Sequence, residues 1–426
     1  MSLVILISTL VVYCAADAYF ETRLGGFRPF GPGYNRGAYP QDFSIVGPSL
    51  EAIHDSQSPS TGLAVDIKHN LYLTYPRNAG PTPSNVVICT SFNSEKPWPS
   101  AEMQNCTASQ DPSTCFINVQ NVVRDDKGRL WIVDNGIPAG APAGSDAVYG
   151  GAKLMSFNET TSELVRTYKI AQGLLSHGMN MNDMKVNTTL GGRQGYAFIT
   201  DASTNSSLVA IDLETGSGVR RLFNTSVVRA DDKYVGSYDG GLTYRWNGTQ
   251  KGYLTTAADG ITLASGNLYW GVLASRRFYY LSQAVVVDTN LTDAQVLGAV
   301  QDPGQVGSEQ AGFTSDDRGR VYMAASEHNA IYYVDTLQSE QMNMPVNGNM
   351  PVNGTGLLPA QDYVVQTLVK NAMIQHADSM AILDGWLYFN TNQLELGPQF
   401  QYNNVDKREG PFRSFRVWVG RGQAVG

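Results

Sequence analysis

GITLASGNLYWGV, residues 260–272, sets an apolar run against a Ser-Gly-Asn turn and follows it with an alternating strand that carries Tyr269 and Trp270. An apolar run, a Gly/Asn turn and a period-two strand together read as a β-hairpin. The same order recurs in GLAVDIKHNLYLTY (62–75), VVRDDKGRLWIVD (122–134), MKVNTTLGGRQGYAFITD (184–201), GFTSDDRGRVYMAA (312–325) and SMAILDGWLYFNT (379–391). Aligning Tyr72, Trp131, Phe198, Tyr269, Tyr322 and Tyr388 gives a spacing of roughly 50 to 70 residues, room for one four-stranded sheet per repeat. Six such sheets set radially make an all-β fold, a six-bladed β-propeller.

Further strand pairs follow the hairpins, as in AKLMSFNETTSELVRTYKI (152–170) and SLVAIDLETGSGVRRLF (207–223), where polar turns separate alternating runs. A pair of β-sandwiches is the alternative, but it does not call for related hairpins at this interval. AQGLLSHGM (171–179) is a candidate short helix between blades, and the tandem NMPVNG of residues 343–354 reads as a solvent loop.

Of 426 residues, 16% are charged and the net charge is -8, with no Lys/Arg cluster, so a nucleic-acid surface is not expected. Abundant apolar and aromatic residues exclude a disordered chain. Residues 1–18 form one apolar run ending in Ala16-Asp17-Ala18, which reads as a cleaved secretory signal; residues 19–426 are then a single propeller domain without a membrane span. Asn105, Asn158, Asn187, Asn205, Asn224, Asn247, Asn290 and Asn353 stand in N-x-Ser/Thr sequons, so an exported glycoprotein is expected.

Cys14 leaves with the signal. Cys106 and Cys115 then bracket a short loop as the best candidate disulfide, with Cys89 a buried free thiol, while a bridge from Cys89 to either of them stays open. No C-x-x-C occurs and the histidines are scattered, so no zinc site is expected.

STGLAVDIKHNLYLTYPR (60–77), GRLWIVDNG (128–136), YAFITD (196–201), DGITLASGNLYWGVLASRRFYYL (259–281) and DSMAILDGWLYFNTNQ (378–393) together resemble the yellow/major royal jelly proteins, in order and over most of the mature chain. VDNG stands where that family usually has LDTG, and the full cysteine set is missing, as in a distant branch. The resemblance implies a secreted six-bladed propeller. It leaves activity open, since members include dopachrome-converting isomerases, biogenic-amine binders and storage proteins.

Inner strands of a propeller line its channel, and the residues at their starts converge on one mouth. Counting back about ten or eleven residues from each aligned aromatic, further in the third repeat, gives Thr61, Gln120, Asn182, Asp259, Ala311 and Asp378, nearly all polar. Asn182 and Asp259 also look similar to the metal-ligand strands of gluconolactonase-like propellers, with Thr61 where those have Glu. If a divalent cation is present, Asn182, Asp259 and Asp378 are its expected ligands; otherwise no cofactor is expected.

His177 and His376 precede Asn182 and Asp378, and a histidine near a carboxylate can carry protons. Asp259, Asp378, His177 and His376 are therefore the catalytic candidates. Thr61, Arg77, Gln120, Asn182 and Asn392 are the ligand-binding ones, Arg77 and Asn392 resting on the resemblance. Glu327 and His328 are weaker candidates. Trp270, Tyr149, Phe389 and Trp386 are expected mostly in the core. No G-x-S-x-G elbow, Cys/His pair or phosphate loop appears. The expected partner is a small molecule, rearranged without a redox cofactor by tautomerisation, isomerisation or cyclisation; the alternatives are an amine or phenol binder and a metal-dependent lactone hydrolase. Oligomeric state is not legible.

Overall fold

The computed structural model describes residues 46–77, 82, 84–107, 109–341 and 356–424. The expected signal at 1–18, the NMPVNG tandem and Asn353 lie outside them. Among the described residues no helix is long and apolar enough to cross a membrane.

Six antiparallel sheets stand in chain order around an axis. Their inner strands are Leu63–Val65, Val119–Arg124, Met181–Asn187, Ala258–Ala264, Phe313–Ser315 and Ala377–Leu383, which open blades 1 to 6. Each pairs outward with the strand that carries the aligned aromatic. Blade 4 has three strands, and single bridges from Gln301 and Gln305 border its outer edge. Blade 6 takes its outer strand from the other end of the chain: Leu50–Ser56 pairs with Phe412–Trp418 and closes the ring. The expected helix near residue 171 is one 3-10 turn, Gln172–Leu174.

Local chemistry explains the repeat. Asp66, Asp125 and Asp316 each accept backbone N–H groups of their own hairpin turn. Each also accepts a bond from the aligned aromatic six residues on: Tyr72 at 3.0 Å, Trp131 at 2.7 Å and Tyr322 at 2.9 Å. One aspartate thus fixes the turn and satisfies the polar end of a buried ring.

The core is not a single centre. Apolar clusters fill the gap between each pair of neighbouring blades, for example Leu130 and Phe157 against Tyr72 and Trp98, or Trp270 against Phe198. Trp270, Phe389 and Trp386 are buried as expected, whereas Tyr149 is 87% exposed. The inner strands carry apolar residues such as Leu63, Val123 and Leu263 at one end of the channel and polar ones at the other.

Candidate functional site

Four inner strands, those of blades 2, 3, 4 and 6, carry a register irregularity just after their first residue. A bulge re-aims the extra residue out of the ladder. Gln120, Asn182, Asp259 and Asp378 occupy these positions, so the polar ring at one mouth is a product of the bulges. Two glycines let the strands draw close there. A Cβ on Gly312 would lie 1.5 Å from the Asp378 carbonyl oxygen, and one on Gly62 would lie 2.6 Å from Asn121 Oδ1. Above Gly62, Ser379 of blade 6 donates to Asn121 of blade 2 at 3.2 Å.

Asn182 donates to Asp259 at 2.8 Å, Asn392 to Asp378 at 2.5 Å, and Asn121 to Asp183. Thr61 donates to the Gln120 carbonyl at 2.6 Å. Asp183 and Asp259 are buried and Asp378 keeps a partial exposure to the channel. Burial, reinforced by Asp378, raises Asp183 to about 7 and Asp259 well above the carboxylate range. Asp378 rises to about 6, its burial opposed by His376 and by the Asn392 bond.

His376 is fully buried and donates from Nδ1 to Glu395 Oε1 at 2.6 Å. Its Nε2 has no hydrogen-bond partner, nor has the second oxygen of Glu395. Burial favours the neutral ring, but Glu395, Asp378 and Glu309 outweigh it and raise His376 to about 9. Glu309 is also raised to about 9, by burial and by the Glu395 and Glu327 charges, and one of its oxygens is unpartnered. Together these form a histidine held by one carboxylate, with its free nitrogen in a field of others.

A cap covers this mouth. Residues 223–257, between blades 3 and 4, include two short hairpins, Ser237–Tyr238 with Gly241–Leu242 and Arg245–Trp246 with Lys251–Gly252. Glu327 anchors it by accepting from Ser237 N–H at 2.9 Å while pairing with Arg276 at 2.5 Å. Gly236 sits directly on Glu309, since a Cβ there would be 1.7 Å from its carboxylate oxygen. Trp246 packs edge-on against Tyr402, which lies between the blade 6 strands Trp386–Thr391 and Phe412–Trp418. The buried Tyr238 hydroxyl and Thr243 hydroxyl have no partner.

The far end of the channel is different. A cavity of about 50 Å³ there is lined by Lys185, Arg124 and Thr262 and bordered by Gln423 and Ala424 of the chain's end. Burial lowers the Lys185 ammonium, against the pull of Asp183.

Asn182, Asp259, Asp378, His376, Asn392, Thr61 and Gln120 thus lie along one mouth, with Ala311 buried among them. His177 does not join them: its side chain is 83% exposed and pairs with Asp146 at 3.0 Å, because its loop faces solvent. Arg77 is spent on the Thr82 and Gln104 carbonyls and on Asn105, so it clamps a loop. Asn187 is buried with its amide on Gln283 at 2.7 Å, a position closed to glycan; Asn105, Asn158, Asn205, Asn224, Asn247 and Asn290 are exposed. His328 meets Tyr332 at 2.7 Å. Cys106 and Cys115 form the disulfide, and Cys89 is free but only half-buried.

A divalent cation fits the ring poorly as it stands. Asp259 and Asp378 each accept from an amide, Thr61 spends its hydroxyl on a carbonyl, and Asp183, Asp259 and Asp378 are not among the described groups with ligand atoms within 4.8 Å of one another. Glu309 and Glu395 escape sequence reading because they come from loops outside the repeat.

A family model described as major royal jelly protein matches residues 117–354. No curated protein matches the chain. Among solved structures it is similar to a luciferin-regenerating enzyme (12% identity, 89% of this chain and 98% of that one covered, TM-score 0.46). A putative gluconolactonase matches at 10% identity, covering 91% and 98%, with TM-score 0.48. Regucalcin from Agrobacterium tumefaciens, a calcium-binding protein, matches at 11% identity, covering 86% and 94%, with TM-score 0.47.

Proposed function

This chain belongs to the major royal jelly protein family, and from that premise we propose that it rearranges a small carbonyl- or phenol-bearing metabolite by proton transfer in the capped channel mouth, without a redox cofactor. The observation that carries the reading is the His376–Glu395 pair, its Nε2 unpartnered and its ring within the field of Asp378. Glu395 fixes the ring as an orienting carboxylate does in hydrolytic triads. Ionised Asp378 takes a proton from the carbon next to a carbonyl. Protonated His376 gives one to the carbonyl oxygen through Nε2, leaving the enol, and return of the protons at other atoms yields the isomer. The cap excludes water, which strengthens each of these interactions.

The test is kinetic. Asp378→Asn and His376→Gln lower kcat by about 10²-fold or more with ligand affinity within a few-fold. Loss of affinity alone, with no turnover of any candidate by the wild type, replaces this reading with a second one, the capture of a cationic amine. Its support is the crowd of buried carboxyl groups, Asp183, Asp259, Asp378 and Glu309, which burial and neighbouring carboxylates push towards the protonated form and which a bound cation would draw into the ionised form. A metal-dependent lactonase is the third, and it requires activity that disappears in chelator and returns with a divalent cation.

We also propose that residues 1–18 are removed on export and that residues 19–426 act as one glycosylated domain. The disulfide and the exposed sequon asparagines support this.

A further inference from the structure

Outside the channel, the seam that closes the ring holds a second constellation. His54 lies on Leu50–Ser56, the strand that completes blade 6, whereas Cys89 and Glu95 face each other on the outer hairpin of blade 1. The imidazole, thiol and carboxylate ligand atoms all lie within 4.8 Å of one another. His54 is buried, and the Glu95 side chain is 23% exposed, which leaves a path from solvent.

The orientation is set from behind. His54 Nδ1 is 2.9 Å from the Ser91 carbonyl oxygen, so it carries the proton and turns Nε2 towards Glu95 Oε1 at 2.8 Å. Two lone pairs at that distance require a second proton or a cation between them. Tyr75 at 2.5 Å and Ser56 at 3.0 Å donate to the same carboxylate oxygen and hold it in place. Cys89 has no disulfide partner. A histidine fixed by a backbone carbonyl, a thiol and a carboxylate is a donor set suited to zinc.

We propose that His54, Cys89 and Glu95 form a site for a thiophilic divalent cation of the zinc type, which clasps the ring-closing strand to blade 1. The ligands are Nε2, Sγ and one carboxylate oxygen, with water in the fourth position. On binding, the Cys89 thiol proton passes to solvent, as does a proton on Nε2 when His54 carries two. Thiolate and carboxylate then neutralise the ion.

Cobalt(II), added in one equivalent to metal-free full-length protein, tests this. The wild type develops a near-ultraviolet thiolate-to-cobalt charge-transfer band with visible tetrahedral bands, and zinc displaces both. Zinc also raises the melting temperature by mass action. Cys89→Ser abolishes the charge-transfer band and weakens zinc binding by more than about tenfold, while melting like the wild type in chelator. Asp259→Asn in the channel leaves band and affinity unchanged. A wild type without the thiolate band, or a Cys89→Ser protein that keeps the wild-type zinc affinity, overturns the proposal.

Discussion

His376 holds a left-handed backbone, φ 56°, immediately before the bulged strand that bears Asp378. For a residue with a Cβ such a conformation costs about 1–3 kcal/mol and persists where the surroundings enforce it. Here they bury the ring with Nδ1 on Glu395 and leave Nε2 without a partner. Turnover that needs Asp378 ionised and His376 protonated rises with pH through about 6 and falls through about 9, and a pH profile of kcat/KM on the rearranged substrate measures both limbs. Stability carries the same signature. Raised carboxylates keep protons in the folded state that the unfolded chain releases above about 4, so stability is lost as pH climbs from about 4 to about 7 on account of Asp183 and to about 6 on account of Asp378. The raised His376 contributes stability that is whole below about 6.5 and is lost as pH passes about 9. Denaturant melts of Asp378→Asn at several pH values show a flatter decline between about 4 and 6 than the wild type shows. Glycopeptide mapping finds glycan among the exposed sequon asparagines and none on Asn187. Asp259, Asp378 and Asn182 were legible by counting from the repeat, whereas Arg77 and His177 were named without any means of knowing what lay beside them.

At the scale of elements, bulges and glycines shape the mouth. Gly312→Ala drives a methyl into the Asp378 carbonyl, and chemical denaturation registers a loss of about 1–3 kcal/mol together with lower turnover. The cap depends on Glu327, which is almost wholly buried and ties Arg276 to Ser237. Glu327→Gln costs about 1.5–3 kcal/mol for the charged bonds lost. It also speeds proteolysis within residues 223–257 before the blades unfold. The blades were legible because each repeats one turn and one aromatic. The cap was not, since its two-residue strands have no repeat and its partners, Tyr402 and Glu327, come from distant loops. The three-stranded blade 4 escaped for a related reason: isolated bridges leave no alternation to read.

For the whole molecule, the ring brings together what the sequence separates. Asp259 and Asp378 lie on different blades, yet the Asp378 charge helps to raise Asp259, so their Asn variants combine non-additively by about 0.5–3 kcal/mol in a double-mutant cycle of ligand binding or stability. Removing the Asp378 carboxylate relieves Asp259. The closing strand has a consequence of a separate kind, one of timing. Asp55 and Arg413 are bonded across the seam but stand 358 residues apart, so the earlier strand waits for all the residues between them to be made before its mate exists. Pairings of such range form slowly. During that wait Leu50–Ser56 lacks its sheet partner, and a chain that stops before Phe412 never supplies one. Until Phe412–Trp418 is made, the early strand is an open edge of the kind that pairs with other chains, so the seam is the place where a half-made ring is most exposed to misassembly.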